Sequence, residues 1–172
     1  MFDINSLVRD NVRALIPYSS ARDEFQGKEG VFLDANENPC GQLNRYPDPY
    51  QKELKSQISR IKKVPEENIF LGNGSDEIID LAYRTFCRPG IDKALTFTPT
   101  YGMYEVCAGI NDITFIKVPL TDKFQIDKDK AASALDDPFL KLIFICSPNN
   151  PTGNSINYAD IESVIAGSRC IV

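Results

Sequence analysis

The 172-residue sequence contains no histidine. That removes Ser-His and Cys-His nucleophile pairs and the usual histidine-based zinc sites. Cysteine is sparse and scattered: Cys40, Cys87, Cys107, Cys146 and Cys170 form no close pair. An odd number of isolated thiols, several inside apolar runs, excludes a disulfide framework and a CxxC metal knuckle, so no metal site is expected. It also suggests a reducing, cytoplasmic setting. Basic runs are missing too, the longest being Lys62-Lys63, and the net charge is −5. A nucleic-acid surface is therefore not expected. No uninterrupted apolar stretch reaches membrane-spanning length, so no membrane partner is expected. The opening MFDINSLVRDNVR mixes charged and apolar residues and does not read as a signal peptide.

What remains is the composition of a globular protein, 42% apolar and 25% charged. Residues 1–30 read as an irregular arm. VFLDANENP (31–39) reads as a short strand ending in a turn, and RYPDPY (45–50) as extended, because a residue before proline avoids the helical region. Leu54, Ile58 and Ile61 recur at helical spacing in an amphipathic surface helix that Pro65 ends.

From there strands and helices alternate. Strands are expected at 68–72, 93–98, 113–118, 140–146 and from Cys170 onward. Helices are expected at 75–87, 101–108, 127–135 and 157–165. The first of these turns Ile78, Ile79, Ala82, Tyr83 and Phe86 inward; Asn157 is a plausible cap for the last. The fold class is α/β: three layers, α/β/α, around a mostly parallel sheet.

Such sheets bind ligands at the carboxyl ends of their strands. Three segments fall there. GNGSDE (72–77) combines a tight Gly turn with a helix start, where free N–H groups favour an anion. TPTYGMY (98–104) presents Tyr101. SPNNPTG (147–153) brackets Asn149 and Asn150 with prolines; an Asn side chain offers both a donor and an acceptor, and Pro151 could fix Asn150 rigidly. Singly, each also reads as plain structure: Ser75 as a helix cap, Tyr101 as a ring on the core rim, the last as a Pro-rich turn. Together they offer a phosphate cradle, a stacking aromatic and a fixed amide. A planar phosphorylated ring such as pyridoxal 5′-phosphate would use all three.

With NVRALIPYSSAR, LDANENP, NRYPDPY, LGNGSDEIIDL, PTYGMY and CSPNNPTG in this order, the chain resembles the fold-type I pyridoxal-phosphate-dependent aminotransferases, specifically the histidinol-phosphate aminotransferase family. The resemblance implies a homodimeric enzyme that transfers an amino group between L-histidinol phosphate and 2-oxoglutarate in histidine biosynthesis. It implies that Gly74, Ser75 and Asp76 hold the cofactor phosphate, that Tyr101 stacks on the pyridine ring and that Asn150 meets the ring's phenolic oxygen, with Asn149 as the turn residue. Tyr46 would reach the phosphate of the partner subunit's cofactor. Tyr18 and Asn36 would lie near substrate.

The resemblance also implies an incomplete chain. It stops at CIV, before the family's aspartate for the ring nitrogen and before its Schiff-base lysine. No catalytic residue is therefore expected among these lysines, and the chain alone is expected to be inactive. Residues 1–43 would be the arm and the start of the small domain; 44–172 would begin the large cofactor domain. Related pyridoxal-phosphate enzymes, including phospho-amino-acid decarboxylases, share the cofactor motifs. A non-catalytic dimerisation or binding module is the competing reading.

Overall fold

The computed structural model describes residues 3–19, 24, 25, 27 and 30–172. Two compact units form, one from Met1–Leu15 and Asn73–Val172, the other from Ile16–Gly72. In the segment read as an irregular arm, a short turn of helix covers Ile4–Ser6 and α1 covers Asp10–Arg13. Leu7 is buried between them, and the Arg9 N–H donates to the Thr85 carbonyl at 3.0 Å. The start of the chain is thus part of the first unit.

The second unit holds α2 (Lys52–Lys62), which stops at Lys63 in a left-handed conformation. Its apolar positions Leu54 and Ile61 stay exposed, as a surface helix allows. Two expected strands are not strands. Val31 and Leu33 are both 88% exposed in irregular backbone. In 68–72, Asn68 ends a 3-10 turn, Glu66–Asn68, that Pro65 initiates, and 69–72 are irregular. Both stretches have strand-like composition, but a strand exists only when a neighbour completes its ladder.

The first unit carries the sheet. Its elements run α3 (Ser75–Phe86), β1 (Lys93–Thr98), α4 (Met103–Ile110), β2 (Thr114–Pro119), α5 (Lys128–Leu135), β3 (Leu140–Phe144) and α6 (Tyr158–Gly167). The order is β2-β1-β3, all parallel, with Lys93 opposite Thr114 and Thr98 opposite Pro119. The expected last strand reaches β3 as one parallel bridge, Leu142 to Ile171. β1 is buried on both faces, as a central parallel strand must be. Leu95 and Phe97 pack on one side with Ala131 of α5 and Val164 of α6. Ala94 packs on the other with Ile79 and Tyr83 of α3 and Cys107 of α4. These are the expected three layers.

Helix boundaries follow local chemistry. The Asp127 carboxylate caps α5 by accepting the Lys130 N–H at 3.2 Å. Asn157 occupies the same position before α6 but makes no side-chain cap; its amide turns to Asp160 instead. Within α3, Ile79 and Tyr83 are buried and Ala82 and Phe86 pack against them, whereas Ile78 is 38% exposed, at the edge of the stripe expected to face inward.

Candidate functional site

The carboxyl end of β1 runs into Pro99, Thr100 and Tyr101, and that of β3 into residues 145–153. Because the two strands are adjacent and parallel, both loops emerge at one edge of the sheet. Hydrogen bonds join them. Thr100 Oγ1 donates to Asn149 Oδ1 at 2.8 Å, and Asn149 Nδ2 donates to the Pro99 carbonyl at 2.9 Å. The next residue links to the third loop: the Tyr101 hydroxyl donates to Asp76 Oδ1 at 2.9 Å. The three segments singled out in the sequence thus form one connected rim.

At the start of α3, Gly74 takes the capping position with φ +81° and ψ 177°, a positive-φ backbone that glycine alone adopts readily. Ser75 is the first helical residue, and no side chain caps this end, which corrects the reading of Ser75 as a helix cap. The Glu77 carboxylate turns back to the Asn73 N–H. The N–H groups of Gly74, Ser75 and Asp76 are left without an acceptor among the described residues. A Cβ placed on Gly74 would meet no atom within 4 Å, so the space beside this end is open. Free donors plus the helix dipole make a seat for an anion.

Tyr101 is half-buried, its ring edge-on to Tyr104 at 5.7 Å between centroids. Tyr104 in turn stacks on Phe144, the last residue of β3, at 4.8 Å. The hydrogen bond to the Asp76 carboxylate raises the Tyr101 hydroxyl above its ordinary range, since ionising it would set two negative charges together.

Asn150 is exposed, with no hydrogen-bond partner for its amide among the described residues; the Asn150–Pro151 bond is cis. Asn149, expected to be only a turn residue, is 4% exposed and fully engaged. Sequence reasoning missed it, together with its partners Thr100 and Thr152. The available signal was the unusual pair of asparagines between two prolines.

The remaining expected residues belong to the second unit. Asn36 and Tyr46 line one open cavity of about 400 Å³. Glu37, also missed, organises it: its carboxylate engages the Arg45 guanidinium and accepts the Tyr46 N–H at 3.0 Å. The LDANENP and NRYPDPY motifs are thereby folded onto each other. Tyr18 is 87% exposed and does not line this cavity. The last residues of NVRALIPYSSAR, from Ser20 on, lie outside the described residues.

Comparison with known proteins gives the family and the fold. Residues 22–172 match the family model described as aminotransferase class I and II. The chain is 53% identical over 176 residues to the histidinol-phosphate aminotransferase of Cytophaga hutchinsonii, covering 99% of this chain and 50% of that protein. It therefore spans about half the length of the curated relatives it matches. The crystal structure of the histidinol-phosphate aminotransferase from Clostridium acetobutylicum superimposes with a TM-score of 0.62 and 31% identity, over 72% of this chain and 35% of that one. That of Sinorhizobium meliloti, in complex with pyridoxal-5′-phosphate, gives 0.65 at 20% identity over 72% of this chain and 33% of that one, a likeness of fold.

Proposed function

The chain belongs to the class I and II aminotransferases, and from that premise we propose that it builds part of a pyridoxal 5′-phosphate site in an enzyme that moves an amino group between L-histidinol phosphate and 2-oxoglutarate. The observation that carries this reading is the connected rim, which puts an uncapped helix start, an aromatic ring and a free amide at one edge of the sheet. These groups fit the cofactor's phosphate, ring and phenolic oxygen respectively. The choice of substrate rests on the names of relatives that are 53% and 50% identical to this chain.

When bound, pyridoxal phosphate supplies an electron sink for the substrate's α-carbon. The residues of this chain bind and orient. The N–H groups of Gly74, Ser75 and Asp76 donate to phosphate oxygens, and the α3 dipole favours the phosphate charge. Asp76 contributes its backbone here, because its carboxylate is engaged by Tyr101. The Tyr101 ring would stack on the pyridine ring. The Asn150 amide donates to the phenolic oxygen and stabilises negative charge there, lowering the pH at which that oxygen stays ionised. In a homodimer, Tyr46 serves the partner subunit's phosphate, and Tyr18 and Asn36 lie near substrate. A reducing, cytoplasmic location suits the five free thiols, one of which, Cys40, is exposed.

The test uses the full-length protein, titrated with pyridoxal phosphate and followed by its visible absorbance. Asn150→Ala keeps the fold and weakens binding about 10-fold or more, the scale of a lost hydrogen bond to a charged oxygen. It also moves the pH midpoint of the bound cofactor's absorbance upward. Unchanged affinity and midpoint refute the role of Asn150. Activity with histidinol phosphate, compared with aromatic amino acids and with threonine phosphate, decides the substrate.

A further inference from the structure

Asn149 is buried at 4% exposure and uses its polar groups on two segments, the loop after β1 and its own loop after β3. Its Nδ2 donates to the Pro99 carbonyl at 2.9 Å and to Thr152 Oγ1 at 2.7 Å. Its Oδ1 accepts from Thr100 Oγ1 at 2.8 Å. Its backbone N–H donates to the Asn154 carbonyl at 2.8 Å, and its carbonyl accepts the Gly153 N–H at 2.7 Å. The orientation of the amide is dictated by its surroundings. The Pro99 carbonyl can only accept, and the Thr152 hydroxyl already donates to Asn154 Oδ1, so both need a donor facing them. Asn154 is held in turn, its Nδ2 donating to the Phe124 carbonyl at 2.9 Å.

These bonds fall on either side of the loop tip. Asn149 and Thr152 are anchored, and between them stand only Asn150 and Pro151. On the β1 side the bonds hold Pro99 and Thr100, the two residues directly before Tyr101. One buried amide therefore sets the loop that presents Asn150 and the loop that presents Tyr101. Buried polar networks of this kind enforce one geometry because each unmade bond in the interior is costly.

We propose that Asn149 is a positioning residue, which locks the β1 and β3 loops together so that Tyr101 and Asn150 are held at a fixed separation for the cofactor ring. The proposal rests on the reading of the rim as a pyridoxal-phosphate site. Asn149 itself touches no ligand; it acts through Asn150, its neighbour in the chain, and through Thr100.

Two variants of the full-length protein test this. Asn149→Asp preserves shape but replaces both donors with a carboxylate oxygen facing the Pro99 carbonyl and Thr152. Thr100→Val preserves volume and removes only the donor to Asn149 Oδ1, so it serves if Asn149→Asp fails to fold. Each is titrated with pyridoxal phosphate beside wild type and Asn150→Ala, with apo-protein melting as the control for fold. Both variants are expected to weaken cofactor binding roughly 10-fold, the scale at which groups supporting a site's ligands act. Both shift the pH midpoint of the bound cofactor's absorbance in the direction Asn150→Ala does. Combining either with Asn150→Ala gives less than the product of the single effects, because part of each variant's effect passes through Asn150.

Lower melting temperatures with wild-type affinity and midpoint, or fully multiplicative losses in the double variants, overturn the proposal. Failure of wild type to bind pyridoxal phosphate overturns the underlying reading instead, and with it any cofactor role for Asn149. Binding by wild type that depends on Asn150 but not on Asn149 or Thr100 overturns the positioning role alone.

Discussion

Replacing Tyr83 by phenylalanine tests the packing behind the site. Tyr83 is 0% exposed, and its hydroxyl donates to the Tyr104 carbonyl at 2.9 Å, tying α3 to α4. Phenylalanine keeps the ring and its contact with Phe144, at 5.3 Å between centroids, and loses only the hydrogen bond. The expected cost near neutral pH is about 1 kcal/mol, against roughly 3–5 kcal/mol for Tyr83→Ala, which also leaves a cavity. Alkali separates the two effects further. Burial raises the Tyr83 hydroxyl well above its ordinary range, so the native protein keeps this proton while the unfolded chain releases it near pH 10. Above about pH 10 the native state thus binds more protons than the unfolded one, and stability falls as pH rises, by about 1.4 kcal/mol per pH unit for this group. Tyr83→Phe lacks that contribution. Its deficit of about 1 kcal/mol should shrink above pH 10 and reverse within about one further pH unit. Urea denaturation midpoints of the full-length wild type and variant, measured from pH 8 to 11.5, provide the assay. Curves that stay parallel across this range, or a variant as unstable as Tyr83→Ala, refute the reasoning.

The acid side belongs to Asp92, which is fully buried and accepts the Arg88 N–H at 2.7 Å and the Arg88 guanidinium in two bonds of 2.9 Å. Burial alone would raise its carboxyl, but the hydrogen bonds from Arg88 outweigh this and hold it below the usual range. Its stabilisation is therefore complete above about pH 4 and lost as pH falls through the lower native value. Asp92→Asn should be less stable at pH 7 and show a flatter loss on acidification, read by thermal melting from pH 7 down to 2.5. Gly74→Ala should fold, because the added Cβ meets no atom within 4 Å, yet cost roughly 1–3 kcal/mol for holding alanine in the positive-φ, extended backbone that glycine adopts here. Placed at the anion seat, it should also weaken pyridoxal phosphate binding; melting and titration together check both, and tighter binding contradicts the assignment of this helix start to the phosphate.

The first unit was largely legible in advance. β1 coincides with the expected 93–98, because KALTFT is a short run rich in strand-favouring Thr and Phe, bounded by Pro89-Gly90 and Pro99. The failures lie where composition resembles a strand but no neighbour supplies the ladder, as at Val31 and Leu33. At the site, residue types and their loops were readable while their bonds were not. The engagement of Asp76 by Tyr101 spans 25 residues, and that of Thr100 by Asn149 spans 49. No local pattern encodes which hydroxyl meets which acceptor at such separations. The two asparagines of SPNNPTG illustrate the limit: they are chemically identical neighbours, and only the fold buries one and exposes the other.

By itself, the sequence determined the α/β class, the chemistry open to a chain without histidine and the three loops where that chemistry would reside. These depend on apolar periodicity, on glycine and proline backbone limits and on residue inventory, all of which are local. The tertiary structure decided that those loops form one rim, that the start of α3 is uncapped and open, and that Asn149 is a buried tie while Asn150 is free. Each depends on groups far apart in the chain being packed against a shared sheet edge, where desolvation makes an unpaired buried donor costly.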